Sequence, residues 1–195
     1  MMSAVDDAKS PSIVDKPLGK GKNEVSHSLF AYMFSELVQY CQAKVNDTAQ
    51  LEKRLADAGY GVGLRLLELI SLREKQSRKE KNLISMLQYI STTVWRNVFG
   101  KNADGLEIST ASAAEYYLYE NEPITNKFLS IPPDLGMNCA AFVAGIVNGI
   151  LDGAEFKSEV YAVFQKPKTD SNLVRTVYVI KFAPQVIERE NALSL

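Results

Sequence analysis

The sequence predicts an α+β domain, with helices laid on one face of an antiparallel sheet in the order ααα-ββ-α-ββ. Three observations predict it. Apolar residues recur at helical spacing through the first half of the chain. After Gly100 the period drops to two, where alternating tyrosines begin. A segment apolar on nearly every side then separates two pairs of strand-like stretches.

The first helix is predicted over Val25 to Val45. Val25, Leu29, Met33, Leu37, Tyr40 and Lys44 follow the i, i+3, i+4 rule, with Tyr32 and Cys41 beside them. Phe30, Phe34 and Val38 add a second stripe. One apolar face suffices to pack a helix on its own domain. The second either meets a partner or is buried inside the domain, and the pattern leaves both open.

Asp47-Thr-Ala-Gln50 resembles a capping box that starts the second helix. It runs through Leu51, Leu55 and Ala58, and Gly59 occupies the place of a left-handed residue that ends a helix. Leu64 to Leu72 begins a new helical stretch, so Gly59, Gly61 and Gly63 read as a hinge between two helices. The rival reading, a phosphate cradle, fails. A dinucleotide fingerprint counted from Gly59 needs glycine at 64, which is Leu64, and a strand before it, where Leu51 to Ala58 is helical. No Gly-Lys-Ser/Thr ending exists. Asn82 to Phe99 is the third long helix, striped by Leu83, Leu87, Ile90, Val94 and Val98, flanked by Trp95 and stopped by Gly100.

Leu106 and Ile108, then EYYLYE (Glu115 to Glu120), are two short strands. Pro123, Pro132 and Pro133 mark a long connection. NCAAFVAGIVNGIL is a buried helix, and its line Ala141, Gly145, Gly149 predicts close helix–sheet packing. It is too short to span a bilayer. Glu159 to Gln165 and Thr176 to Phe182 are β-branched and aromatic, hence strands. The polar link between them makes the pair antiparallel.

Composition narrows the function. A net charge of −1 supplies no field that would attract nucleic acid. Cys41 and Cys139 lack CxxC partners, which favours a reducing compartment over a disulfide scaffold. Residues 1–22 hold scattered charges, prolines and glycines but no apolar core, so they read as a flexible tail without a signal peptide; residues 23–190 read as one domain. His27, the one histidine, begins the first helix between Ser26 and Ser28, a poor place for a catalytic base. No metal-ligand cluster is spaced for zinc, and no nucleophile–base pair is visible. No catalytic residue, metal or cofactor is therefore expected. Arg65 and Glu68 are either a surface pair or contacts to a neighbouring chain. Arg73 to Lys81 (REKQSRKEK) is either a solvated link or a patch for an acidic partner or membrane.

LEKRLADAGYGVGLRLLELI (Leu51 to Ile70), set between an aromatic-rich helix and another long helix, resembles the small subunits of TRAPP, the transport protein particle. Gly59, Tyr60, Gly63, Arg65, Leu66 and Glu68 match that family's G-Y-x-x-G-x-R-L-x-E in place. The tyrosine-rich strand, the NCAAFVAGIVNGIL helix and the last two strands agree, so the resemblance covers about residues 18–190. VWRNVFGKNADGLE (Val94 to Glu107) is most similar to the family's fifth subunits. The resemblance implies an α/β plait, four main helices on one face of a twisted four-stranded antiparallel sheet. It implies an architectural subunit of a complex that tethers vesicles in ER-to-Golgi transport and exchanges nucleotide on a Rab GTPase. The subunit would touch the GTPase at most indirectly, and would lie in the cytoplasm, peripheral to ER and Golgi membranes. It would pair through its first two helices with a sister subunit, the central one that carries a fatty-acyl chain. Phe30, Phe34, Leu37, Tyr40, Cys41, Leu51, Leu55 and Leu66 are then the residues expected at the partner interface. The acylated relative bears a cysteine where the third helix begins; Gln76 to Leu83 has none, so the acyl site is not carried over. The alternative function is a sensor of similar plait fold that binds a hydrophobic ligand or haem, with His27 as the sole histidine ligand available.

Overall fold

Ser26 and Asp47 start the first two helices, each by turning a side-chain oxygen onto an amide that the first turn leaves unpaired. Ser26 Oγ accepts from the Leu29 amide at 3.2 Å and opens α1 (His27–Gln42). Asp47 accepts from the Gln50 amide at 2.7 Å and opens α2 (Thr48–Arg73). The Gln50 side chain donates to the same carboxylate at 2.6 Å, so the box closes on the Asp47 side chain and not on its backbone. The computed structural model describes residues 25–74, 82–110, 112, 114–127, 129, 136–165 and 174–193. The expected tail and most of the basic run after Arg73 lie outside the described residues.

The first correction concerns α2. It does not hinge at the glycines: 26 residues form one helix from Thr48 to Arg73. Gly59 and Gly63 are buried against α6 (Ala141–Gly153). A Cβ on Gly59 would overlap the Phe142 carbonyl and stand 3.0 Å from the Ile146 nitrogen. One on Gly63 would overlap the Ile146 carbonyl. From the other side, Cβ atoms on Gly145 and Gly149 would overlap the carbonyls of Ala56 and Tyr60. The two helices therefore meet backbone to backbone. The same contact corrects the reading of Ala141, Gly145 and Gly149, whose glycines serve helix–helix and not helix–sheet approach.

The third helical run is continuous but not regular. α3 (Leu83–Tyr89) passes into a π-helical turn (Ile90–Val94) and then α4 (Trp95–Phe99). Ser91 and Thr92 hydroxyls both donate to the Gln88 carbonyl, at 3.1 and 2.7 Å, and compete with its backbone partner. The wide turn brings Ile90, Val94 and Trp95 together into the core. Gly100, at φ 76°, ends the run as expected.

The sheet is β1 (Gly105–Ile108), β2 (Glu115–Glu120), β3 (Ser158–Gln165) and β4 (Arg175–Phe182), in the spatial order β1-β2-β4-β3 with every pair antiparallel. Leu106 faces Leu118, Leu118 faces Tyr178, and Val160 faces Ile180. These residues, with α6 and the third helical run, make the main core. α6 lies between α2 and the sheet, which is why nearly every side of it is apolar. On the opposite face of the sheet, Tyr119, Val177 and Val179 cover one another, and Arg175 lies 4.1 Å over the Tyr119 ring.

Two short helices were not anticipated. α5 (Ile124–Lys127) is a single turn after β2. α7 (Pro184–Leu193) follows β4 and buries Val186. Its Glu190 accepts from the Leu83 amide at 3.0 Å, capping α3 from across the fold where Asn82 makes no side-chain cap. Pro184 in the first helical position, followed by Val186 and Ile187, was the available signal.

Glu120 ends β2 and is only 1% exposed. Tyr178 donates to it at 3.0 Å and the Lys101 ammonium stands 3.7 Å away. Burial nonetheless raises its carboxyl above the ordinary glutamate range, with the Tyr178 hydrogen bond and Lys101 offsetting only part of that rise. A carboxyl that binds its proton more tightly when folded loses stability as pH rises from the unfolded value to the folded one. Glu120→Gln is therefore expected to raise the denaturation midpoint at neutral pH and to change it little below about pH 4, where an unfolded glutamate is itself largely protonated. Urea titrations at the two pH values measure this; an equal gain at both refutes it.

Candidate partner-binding face

α1 carries two apolar stripes, and the fold assigns them opposite jobs. Phe34, Val38 and Cys41 turn inward onto Leu51 and Leu55 of α2 and onto Met137, Cys139 and Ala141 at the start of α6. Phe30 stacks on Phe34 at 5.6 Å between ring centres, and Phe34 meets Phe142 at 5.5 Å. The other stripe faces solvent: Tyr32 is 75% exposed and Met33 66%, with Val25, Leu29 and Tyr40 beside them.

This corrects half of the expected set. Phe34, Cys41, Leu51 and Leu55 are buried inside the chain, and of these four only Cys41 lines the groove described below. Phe30, Leu37 and Leu66 are half-buried, and Tyr40 alone of the eight is exposed. Leu29, Tyr32 and Met33 were missed as exposed residues. Both stripes fit the helical period, so periodicity could not choose between them. The hydroxyls could have: tyrosines 32 and 40 keep a polar tip in water, whereas phenylalanines 30 and 34 have none to satisfy.

Between the two helices runs an open groove of about 560 Å³. Leu37, Cys41 and Ala58 give it apolar walls; Tyr40, Gln50, Lys53, Arg54 and Asp57 line the rest. Lys44 hydrogen-bonds the Tyr40 hydroxyl and its ammonium lies 3.9 Å over that ring. Neither cysteine of this region is poised for chemistry: both are buried, and burial pushes the Cys139 thiol up to about 11.

The motif residues besides half-buried Leu66 divide in the same way. Gly59 and Gly63 admit α6. The Tyr60 hydroxyl donates to Asp152 Oδ2 at 2.5 Å, fastening α2 to the end of α6 above a cleft of about 420 Å³ that Lys157, Glu159 and Lys181 also line. Arg65 and Glu68 are exposed, and the Arg65 guanidinium donates to the Gly61 carbonyl at 3.0 Å. His27 stands exposed in the first turn of α1. Among the described residues, no group of three or more His, Cys, Asp or Glu side chains gathers at a point, and no helix is long and apolar enough to cross a membrane.

Known proteins resemble the chain along most of its length. The family described as Transport protein particle (TRAPP) component matches over residues 30–183. Trafficking protein particle complex subunit 5 of Dictyostelium discoideum is 50% identical over 184 residues, 93% of this chain and 98% of its own. The Homo sapiens protein of the same name is 39% identical over 183 residues, 93% of each chain. Trafficking protein particle complex subunit 31 of Saccharomyces cerevisiae is 25% identical, over 87% of this chain and 80% of its own. Among solved structures, a trafficking protein particle complex subunit 3 from Naegleria fowleri, covalently bound to palmitic acid, superposes with a TM-score of 0.65 at 18% identity, covering 80% of this chain and 95% of that one.

Proposed function

The chain belongs to the transport protein particle (TRAPP) component family, and from that premise we propose that it is an architectural subunit whose exposed α1 face is covered by a sister subunit. It is a subunit of the TRAPP trafficking complex and assembles with other members of the family. The proposed partner is the central, acyl-carrying sister, met through α1 and α2. In this reading the complex tethers vesicles and drives Rab nucleotide exchange in ER-to-Golgi transport, from the cytoplasmic side of those membranes. The subunit supplies shape and not chemistry, and reaches the GTPase at most through its neighbours.

One observation carries the reading. Tyr32 and Met33, with Leu29 and Tyr40, form an exposed apolar stripe about three turns long, interrupted at Glu36, on a helix whose other side is already committed to the core. Single exposed apolar residues are ordinary; four of them on one helix face support a contact surface. Large apolar and aromatic anchors of this kind dominate binding energy, each contributing roughly 1.5–3 kcal/mol when fully covered. The hydrophobic-ligand or haem sensor has no support among the relatives, and exposed His27 does not aim a ligand into the fold.

The test is a double variant, Tyr32→Glu with Met33→Glu, co-expressed with the acyl-carrying sister. Far-ultraviolet dichroism and the melting temperature should stay near wild type, because both side chains point to water. Co-purification with the sister should be lost. A variant that still elutes with the sister at the wild-type ratio removes the α1 face from the interface.

A further inference from the structure

The α1–α2 groove has a charge of its own, and the partner must answer it. Lys53 and Arg54 stand exposed on its α2 side, and Asp57 is the one carboxylate in its lining among the described residues. Lys44 adds a third cation at the Tyr40 corner, where the groove runs into the exposed α1 stripe. One turn further along α2 comes Gly61. A Cβ there would meet only the Arg65 guanidinium, at 3.6 Å, an ordinary contact. Glycine inside a helix is about 1 kcal/mol worse than alanine, and no neighbour among the described residues requires it here. Ala58 and Gly61 thus put two small residues on one face of α2 beside the cations, with the Arg65 guanidinium lying against Gly61.

Resting on the heterodimer reading above, we propose that this groove selects a sister-subunit helix whose face is apolar and acidic, and that the same cations oppose pairing of the chain with a second copy of itself. An apolar side chain of the sister fills the space between Leu37 and Ala58, and its carboxylates meet Lys53 and Arg54. In a two-fold dimer centred on this face, the patch would meet itself, cation against cation. Like charges facing one another across an interface disfavour that pairing, while opposite charges speed the right one and fix its register.

The experiment uses the full chain and the acyl-carrying sister from the same organism, with affinity measured by titration calorimetry and self-association by analytical ultracentrifugation. Lys53→Glu with Arg54→Glu should weaken sister binding at least tenfold and leave the chain alone no more dimeric than wild type, since the reversed patch still meets its own sign. Lys53→Gln with Arg54→Gln, which removes charge without reversing it, should weaken binding less, abolish most of its salt dependence between about 0.05 and 0.5 M salt, and increase the dimer fraction of the chain alone. Melting curves of all variants should match wild type, since both side chains are exposed. A wild type that binds the sister while both double variants bind within twofold of it overturns the charge selection and leaves the heterodimer reading standing. A wild type that binds no sister overturns both.

Discussion

Gly59→Ala is expected to destabilise the chain by about 3 kcal/mol or more, at or beyond the upper end of ordinary overpacking. The added methyl would overlap the Phe142 carbonyl, which belongs to a helix backbone and has no rotamer to change. Either α2 and α6 separate along their contact or the Phe142 segment distorts. Gly145→Ala meets the same obstacle from the other side, where its Cβ would lie 2.7 Å from the Ala56 carbonyl carbon and overlap the oxygen. Gly61→Ala is the control on the same helix. Its methyl meets only the Arg65 guanidinium, at an ordinary 3.6 Å, and the better helix propensity should stabilise the fold by up to about 1 kcal/mol. Urea denaturation of the three variants measures the contrast. If Gly59→Ala lies within half a kilocalorie of Gly61→Ala, the helices are not in backbone contact.

Trp95→Ala is expected to cost about 3–5 kcal/mol, the range for deleting a large buried aromatic. Trp95 is 1% exposed and contacts Phe99 at 5.1 Å and Tyr178 at 5.6 Å between ring centres. It joins the third helical run to the central strand β4, so its loss opens the main core. Against a typical net stability of about 5–15 kcal/mol, the variant should melt far below wild type. Trp95→Phe, which keeps a ring in the site, should recover part of the loss. A thermal melt followed by dichroism decides it, and a shift of only a degree or two for the alanine variant would refute the placement of the ring.

Much of this was legible in the chain itself. The order ααα-ββ-α-ββ, the tyrosine-rich strand, the antiparallel last pair and the stop at Gly100 all follow from local period and local turn chemistry. The errors arose where one residue type answers two different demands. Gly59 fits a helix terminus and fits a close crossing equally well, and only Gly145 and Gly149, far along the chain, decide between them. The π-helical turn, beside which the Ser91 and Thr92 hydroxyls both donate to the Gln88 carbonyl, leaves no mark on the apolar period. On α1 the two stripes share one spacing, so the period identified a doubly apolar helix but not which side faces out. The residues expected at the interface therefore include the inward stripe: Phe34 and Cys41 face the core, and Tyr32 and Met33 face solvent.

The glycine crossing also governs how this subunit can behave under load. Where α2 and α6 cross at the glycines they touch through main-chain atoms, so no side chain there has a rotamer to change when one helix is pressed on the other. A push on the outer face of α2 at that point meets backbone and not a side chain that could repack. The domain is built as a brick: neighbours can stack on it, and whatever flexes in the finished wall must flex at the joints.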